Sequence, residues 1–253
     1  ECLDEGVFGQ AGAEVLIEEY LEGEEASMLA FADGHVVAAM DSAQDHKPVF
    51  DGDQGPNTGG MGSYSPAPVV TPEIYKQCTE QVLEPCLAAL RARGIHYCGV
   101  MYAGLMITAQ GPKVIEFNAR FGDPETQALL PRLRTDLVEV MLACARGTLD
   151  QIKLEWTADA SVCVIGASGG YPGKYAKGKV IEGLEDFENG PAQMAFHAGT
   201  ARGEDGRLVT AGGRVLGVTA LDPSLKTAIE RAYALLGGIG LEGMHYQTGR
   251  AHV

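Results

Sequence analysis

The stretch Val114-Ile115-Glu116-Phe117-Asn118-Ala119-Arg120-Phe121-Gly122-Asp123-Pro124-Glu125 decides how this chain is read. Its first five residues alternate as a strand does. Side chains two apart on a strand share a face, so Glu116 and Asn118 set a carboxylate beside an amide oxygen, while Ile115 and Phe117 face the other way. Two hard oxygen donors suit Mg²⁺, which keeps waters and takes further ligands from substrate phosphates. The same alternation also describes a solvated strand face. The residues after Asn118 favour a site: Arg120 brings a guanidinium fit for bidentate capture of a carboxylate or phosphate, next to Gly122 and the acids Asp123 and Glu125. A surface salt-bridge turn is the plainer reading of that run.

Working outward, residues 99–108 and 113–118 form a strand pair across Ala109-Gln110-Gly111-Pro112. Upstream, Ile74, Cys78, Val82, Leu83, Leu87 and Leu90 line one face of a helix that begins at Pro72 and ends at Gly94. Residues 26–32 and 36–40 read as strands joined at Asp33-Gly34, a dipeptide that favours a tight hairpin. A short apolar strand is expected at 15–17. Residues 41–68 hold no periodic pattern, and a loop that long inside a folded unit is usually functional or disordered. Within it, Asp45-His46-Lys47 and the glycine-rich run from Gly55 through Asn57, Gly59 and Gly60 to Gly62 offer backbone N–H groups for an anion. That run is not a Walker A motif, because no Gly-Lys-Ser/Thr ends it.

Downstream, a helical stretch at 137–145 stops near Gly147, and the pattern then changes to short strands and glycine turns. Strands are expected at 161–167, 179–183, 195–198, 207–211 and 215–220, with one helix at 225–236. The boundary falls near 148–157. It divides an α+β first part, residues 1–151, from a β-rich second part, residues 152–253, and each has an ordinary domain size.

The whole composition limits the function classes. The chain has 253 residues, 34 acidic against 19 basic side chains and a formal charge of −15, which repels phosphate backbones, so no nucleic-acid partner is expected. No run approaches the ~18 apolar residues of a spanning helix, so no membrane partner is expected either. Six scattered cysteines, Cys2 among them, lack any zinc spacing and read as free thiols in a reducing cytoplasm. Glu1 opens in a polar, helix-like stretch without an initiator Met. Paired acids such as Glu18/Glu19 suggest glycosidase chemistry only superficially, since adjacent strand residues face opposite sides and would not converge on a substrate.

Several motifs then recur in one order: Glu18-Glu19-Tyr20-Leu21-Glu22-Gly23-Glu24-Glu25-Ala26-Ser27, Gln44-Asp45-His46-Lys47, Gly55 to Gly62 with Tyr64-Ser65-Pro66-Ala67-Pro68, and Glu116-Phe117-Asn118 with Arg120 to Glu125. The second part adds Gly169-Gly170-Tyr171-Pro172, Phe196-His197-Ala198-Gly199-Thr200 and Gly212-Gly213-Arg214-Val215-Leu216. Together they resemble the phosphoribosylamine–glycine ligase family of the ATP-grasp superfamily over nearly the whole chain, as the carboxy-terminal three-fifths of such an enzyme. The resemblance implies part of an ATP-grasp fold, an antiparallel sheet with helices, followed by a smaller β-rich domain. It also implies a cytoplasmic ligase of purine biosynthesis that uses ATP with Mg²⁺ or Mn²⁺ to phosphorylate glycine and passes the glycyl group to 5-phosphoribosylamine.

By the same resemblance, Glu116 and Asn118 hold the metal. The backbone at Glu19 and Leu21, beside Glu18, reads adenine; Glu24 or Glu25 takes the ribose hydroxyls; Asn57, Gly59 and Gly60 complete the nucleotide side. Arg120 neutralises the glycine carboxylate, Asp45 takes its amino group, Lys47 lies near the transferred phosphate, and Gly122, Asp123, Pro124 and Glu125 border the substrate. The family's amino-terminal glycine-rich domain and the phosphate-binding lysines of the first half of the ATP-grasp lobe do not occur in this chain and are expected as a missing region. Pro48 stands where the family commonly carries a basic residue. Two other readings remain: a module that binds nucleotide without turnover, and another ATP-grasp ligase acting on a different carboxylate.

Overall fold

A computed structural model describes residues 9–247 apart from Asp51 and Asp53. Glu1, Cys2 and the terminal run after Gln247 lie outside the described residues.

Local sequence accounts for most element boundaries. Strand β1 (Glu24–Asp33) turns into β2 (Val37–Asp45) at Gly34, whose φ of 91° suits glycine. Asp33 fixes the turn, its Oδ1 accepting from the N–H groups of His35 and Val36, both at 2.9 Å. Its Oδ2 accepts from Leu149 at 3.1 Å, tying the hairpin to a distant turn. Burial alone would raise this carboxyl's pKa, but the three backbone donors outweigh it and hold the pKa below its usual value.

Three short strands follow: β3 (Pro48–Phe50), β4 (Gln54–Asn57) and β5 (Gly62–Ser65). The expectation of a structureless loop over 41–68 is therefore corrected. Strand β5 is buried throughout although it reads Gly-Ser-Tyr-Ser, and two of its three hydroxyls find acceptors within the fold, while Ser63 Oγ has none among the described residues. Tyr64 donates to Gln44 Oε1 at 2.6 Å and Ser65 to the Ser42 carbonyl at 2.7 Å.

The helix expected from Pro72 is present as α1 (Pro72–Cys78), one π-helical turn (Thr79–Leu83) and α2 (Glu84–Ala92). Thr71 caps it, and Gly94 lies beyond its end at φ 75°. Then β6 (Cys98–Thr108) and β7 (Gly111–Asn118) pair antiparallel. Helix α3 (Glu125–Leu129) comes next, and α4 (Leu137–Arg146) runs from the Asp136 cap to Gly147 at φ 67°.

The second part contains β8 (Ala160–Ala167), β9 (Ile181–Glu182), β10 (Gln193–His197), β11 (Thr200–Arg202), β12 (Leu208–Thr210), β13 (Arg214–Asp222), α5 (Leu225–Gly237) and β14 (Gly240–Leu241). Two strand expectations need correction. Residues 15–17 form no strand, with Leu16 83% and Ile17 89% exposed. The strand expected at 179–183 shrinks to two residues, because Gly183 takes φ 77°.

Eight strands make one antiparallel sheet in the order β10-β13-β8-β5-β2-β1-β6-β7, so β5 joins the two parts by pairing with both β2 and β8. One face of β1 and β6 (Met28, Ala30, Met101, Leu105) packs on the α1–α2 helix through Cys78, Leu83 and Leu87. The other face (Leu29, Phe31, Tyr102) packs on Leu129 of α3 and Val140 and Ala143 of α4. A separate core forms where β8 and β13 pack on α5. Strand β7 is one of the sheet's two edges and is exposed along most of its length, so it can carry a site without breaching a core.

Candidate active site

The site lies where the polar ends of β1, β2, β6 and β7 come together on the α3 side of the sheet. Alternation along β1 puts Glu25 and Ser27 on the same side. Across the sheet, Ser27 pairs with Gly104, Gly104 with Glu116 and Tyr102 with Asn118, which lines up the site residues of three strands. Gly104 leaves little room to spare: a Cβ there would sit 3.2 Å from Glu116 Cγ.

Glu116 and Asn118 do share a face, with Asn118 Nδ2 donating to Glu116 Oε1 at 3.1 Å. The pair supplies hard oxygens and suits a divalent cation that completes its shell with water and phosphate. Turning the Asn118 amide over would offer its oxygen alongside the carboxylate. Among the described residues, no group of three or more His, Cys, Asp or Glu side chains forms a metal-holding cluster, so such an ion would depend on ligands from substrate.

Lys47, just past the end of β2, donates to Glu25 Oε2 at 2.7 Å. Burial works against its charge, but the Glu25 bond and the carboxylates of Asp45, Glu25 and Glu116 outweigh it, so its pKa lies above the ordinary lysine value. Asp45 takes the opposite course: burial first, then the Glu125 and Glu25 carboxylates push its pKa up to about 7 despite Lys47. The cluster thus pairs a firmly charged cation with a carboxyl group poised to exchange a proton near neutrality.

Sequence reasoning named Glu125 as bordering the substrate but missed Ser27 and Tyr102, which support it beneath the cluster. Glu125 is 2% exposed, and its Oε1 accepts from Tyr102 at 2.5 Å and from Ser27 at 3.0 Å. Burial, then the Glu125 and Asp45 carboxylates, raise the Tyr102 pKa and keep its hydroxyl a donor. The signal for Ser27 was its place two residues after Glu25. Tyr102 could be found only from the register that sets it opposite Asn118.

Two clefts flank the cluster. One, of about 230 Å³, is lined by Glu24, Glu25, Asp45, Lys47, Asn57 and Met106, among others. The other, of about 380 Å³, is walled by Leu21, Met106, Val114 and Ile115 with Glu18, Glu19 and Glu25 at its rim. Its apolar walls and volume match small-ligand sites. The backbone N–H and C=O groups of Glu19 and Leu21 have no hydrogen-bond partner among the described residues, while the Glu19 side chain reaches Lys113 Nζ at 3.7 Å. Glu25 borders both clefts, whereas Glu24 lines only the first.

Other expected residues stand slightly apart. Arg120 is exposed and donates to the Phe121 carbonyl at 2.9 Å. Gly122, Pro124 and Glu125 are buried and Asp123 is exposed. Glu125 Oε2 packs so closely on Gly122 that a Cβ there would lie 2.4 Å from it. The amides of the glycine-rich loop have internal acceptors. Gly59 donates to Tyr171 Oη at 3.1 Å, Gly60 to Thr58 Oγ1 at 3.0 Å and Met61 to the His46 carbonyl at 2.8 Å.

Comparison with known proteins matches this architecture. Residues 1–126 match the family described as phosphoribosylglycinamide synthetase, ATP-grasp (A) domain, and residues 161–250 match its C domain. A phosphoribosylamine–glycine ligase of Vigna unguiculata is 49% identical over 98% of this chain and 80% of its own length. One of Caldanaerobacter subterraneus is 51% identical over 95% of this chain, which spans 57% of that relative. The crystal structure of phosphoribosylamine–glycine ligase from Thermotoga maritima superposes with a TM-score of 0.80 at 33% identity, covering 91% of this chain and 56% of that one. An ATP-grasp segment carrying the Glu116/Asn118 pair, followed by the C domain, places the chain in a single family: it belongs to the phosphoribosylglycinamide synthetases.

Proposed function

We propose that this chain forms the catalytic face of a phosphoribosylamine–glycine ligase that couples ATP cleavage to joining glycine and 5-phosphoribosylamine. One observation carries the reading: the Glu116/Asn118 pair, the Lys47–Glu25 ion pair and the poised Asp45 meet between two clefts on one sheet face. The unpaired backbone of Glu19 and Leu21 supports adenine in the apolar cleft, with Glu18 at its rim. Glu25, bordering both clefts, is the better placed of the two candidates for ribose, with Glu24 beside it.

A bound Mg²⁺ or Mn²⁺ would be held by Glu116 and Asn118 and would neutralise charge on the ATP phosphates. Lys47 then meets the transferred phosphoryl oxygens with its fixed charge. Asp45 accepts the glycine ammonium, and the exposed Arg120 guanidinium takes its carboxylate, bordered by Gly122, Asp123, Pro124 and Glu125. Asn57 closes the smaller cleft, and Gly59 and Gly60 shape its approach. The glycine carboxylate attacks the γ-phosphorus, releasing ADP. The amine of 5-phosphoribosylamine next attacks the glycyl carbonyl carbon, phosphate leaves, and the amine gives up a proton, leaving glycinamide ribonucleotide. Turnover calls on an amino-terminal region such as the longer relatives have, with residues 1–151 and 152–253 as the two units of this chain. We place the reaction in the cytoplasm; among the described residues no helix is long and apolar enough to cross a membrane.

The test is ADP formation by the full-length protein. Sustained ADP formation should require both glycine and 5-phosphoribosylamine, and alanine should not replace glycine. Equal turnover with another carboxylic acid would point to a different ATP-grasp ligase. Nucleotide binding without turnover would make the chain a binding module.

A further inference from the structure

We propose that Arg214 is a positioning residue that locks the two walls of the glycine subsite together. It stands at the start of β13, where the register with β8 shifts between Arg214 and Leu216. Such irregularities re-aim side chains, and this one carries the guanidinium out of the second part of the chain toward the site. There Nη1 donates to the Gly59 carbonyl at 2.6 Å, to the Asp123 carbonyl at 2.9 Å and more weakly to the Gly60 carbonyl at 3.3 Å. Nη2 donates to Asp123 Oδ2 at 3.1 Å, an ion pair in which the arginine side chain is 20% exposed. A planar fork of donors can meet acceptors on two loops at once, which a lysine ammonium at the end of a flexible stem cannot do as well.

The two loops are the ones that bound the subsite. The first runs back from Gly59 through Thr58, whose N–H and hydroxyl both donate to the Lys47 carbonyl, at 2.8 and 2.7 Å. The second holds Asp123, three residues after Arg120 and two before the buried Glu125. The loops touch directly: Gly60 has φ 105°, and a Cβ there would meet Pro124 Cδ at 2.4 Å. Without the guanidinium, three carbonyls and the Oδ2 of Asp123 lose a donor at this seam, only Gln127 still donating to Asp123 Oδ1 at 2.8 Å, and the spacing between Lys47 and Arg120 loses its brace. Arg214 does not reach the clefts that receive substrate; it acts through the loops. The kinetic part of this inference rests on the proposed glycine subsite, whereas the clamp itself does not.

Arg214→Gln and Arg214→Lys in the full-length protein test it, read by hydrogen exchange and by kinetics. In Arg214→Gln, amides in residues 58–62 and 122–125 should exchange faster together, with β1 and β6 unchanged. Glycine KM should rise about tenfold while ATP KM stays within about twofold, since only one subsite loosens. Arg214→Lys should recover part of both effects, and it carries the test alone if the glutamine variant fails to fold. Unchanged exchange in either loop, or a parallel rise of the two KM values, would overturn the proposal. Should the unaltered protein make no use of glycine, the functional reading fails and the exchange result alone decides the clamp.

Discussion

Asp45→Asn should make the folded protein more stable above neutral pH while removing a group that the proposed reaction uses. In the folded state the Asp45 pKa is pushed up from 3.8 to about 7 by burial and by the Glu125 and Glu25 carboxylates. A carboxyl group whose folded pKa is raised holds its proton more tightly in the folded chain than in the unfolded one. Its contribution is favourable at low pH and is lost as pH climbs from about 4 to about 7. At about 1.36 kcal/mol per pH unit, that span sets a ceiling of about 4 kcal/mol on the cost of carrying the charge at pH 8. The gain from asparagine is smaller, because the amide is still buried, Lys47 loses one of its carboxylates, and Glu25 and Glu125 share the relief. About 1–3 kcal/mol remains.

Urea unfolding of both proteins at pH 5, 6, 7 and 8, without nucleotide and with a chelator, measures it. The stability difference at pH 5 should be about two-fifths of its plateau value, widen through pH 7 and level off above. A difference that does not vary with pH, or a variant less stable at pH 8, would refute the argument that site electrostatics strain this fold.

Arg132→Met tests a structural counterpart. Arg132 is 3% exposed, pairs with Asp41 at 2.8 Å and donates to Ser65 Oγ and to the carbonyls of Thr157 and Asp159. Removing it should cost about 2–4 kcal/mol in urea unfolding, Asp41 being partly solvated. Gly60→Ala places a Cβ 2.4 Å from Pro124 at φ 105° and should cost about 1–3 kcal/mol, read as a lowered midpoint in thermal unfolding. Glu116→Gln should weaken Mg²⁺-dependent ADP binding about tenfold or more in calorimetry while leaving thermal stability unchanged, since Glu116 lies exposed on the edge strand.

The shared face of Glu116 and Asn118 and the helix after Pro72 were legible in the sequence because each depends on a short period: two residues for Glu116 and Asn118, three to four for the apolar face of the helix. Strand β5 was not, since Gly62-Ser63-Tyr64-Ser65 carries no hydrophobic pattern and is buried by partners, Ser42, Gln44 and β8, far away in sequence. Residues 15–17 erred the other way: an apolar run with no strand beside it stays exposed. Register brings Tyr102 beneath the site and tertiary approach brings Arg214 onto its neighbouring loops, which local spacing does not encode. The family motifs marked both the loop with Gly59 and Gly60 and the turn with Asp123, but only the fold shows that one guanidinium joins them.

The most direct test of carboxylate activation at this site tracks one oxygen atom. When the full-length protein turns over glycine labelled with ¹⁸O in both carboxylate oxygens, one labelled oxygen bridges to phosphorus in glycyl phosphate and leaves with it when the amine attacks. The released phosphate should carry one ¹⁸O per turnover, with the other retained in the amide of the product. Unlabelled phosphate formed alongside product would contradict the account, because ATP would then have been cleaved without phosphorylating the carboxylate.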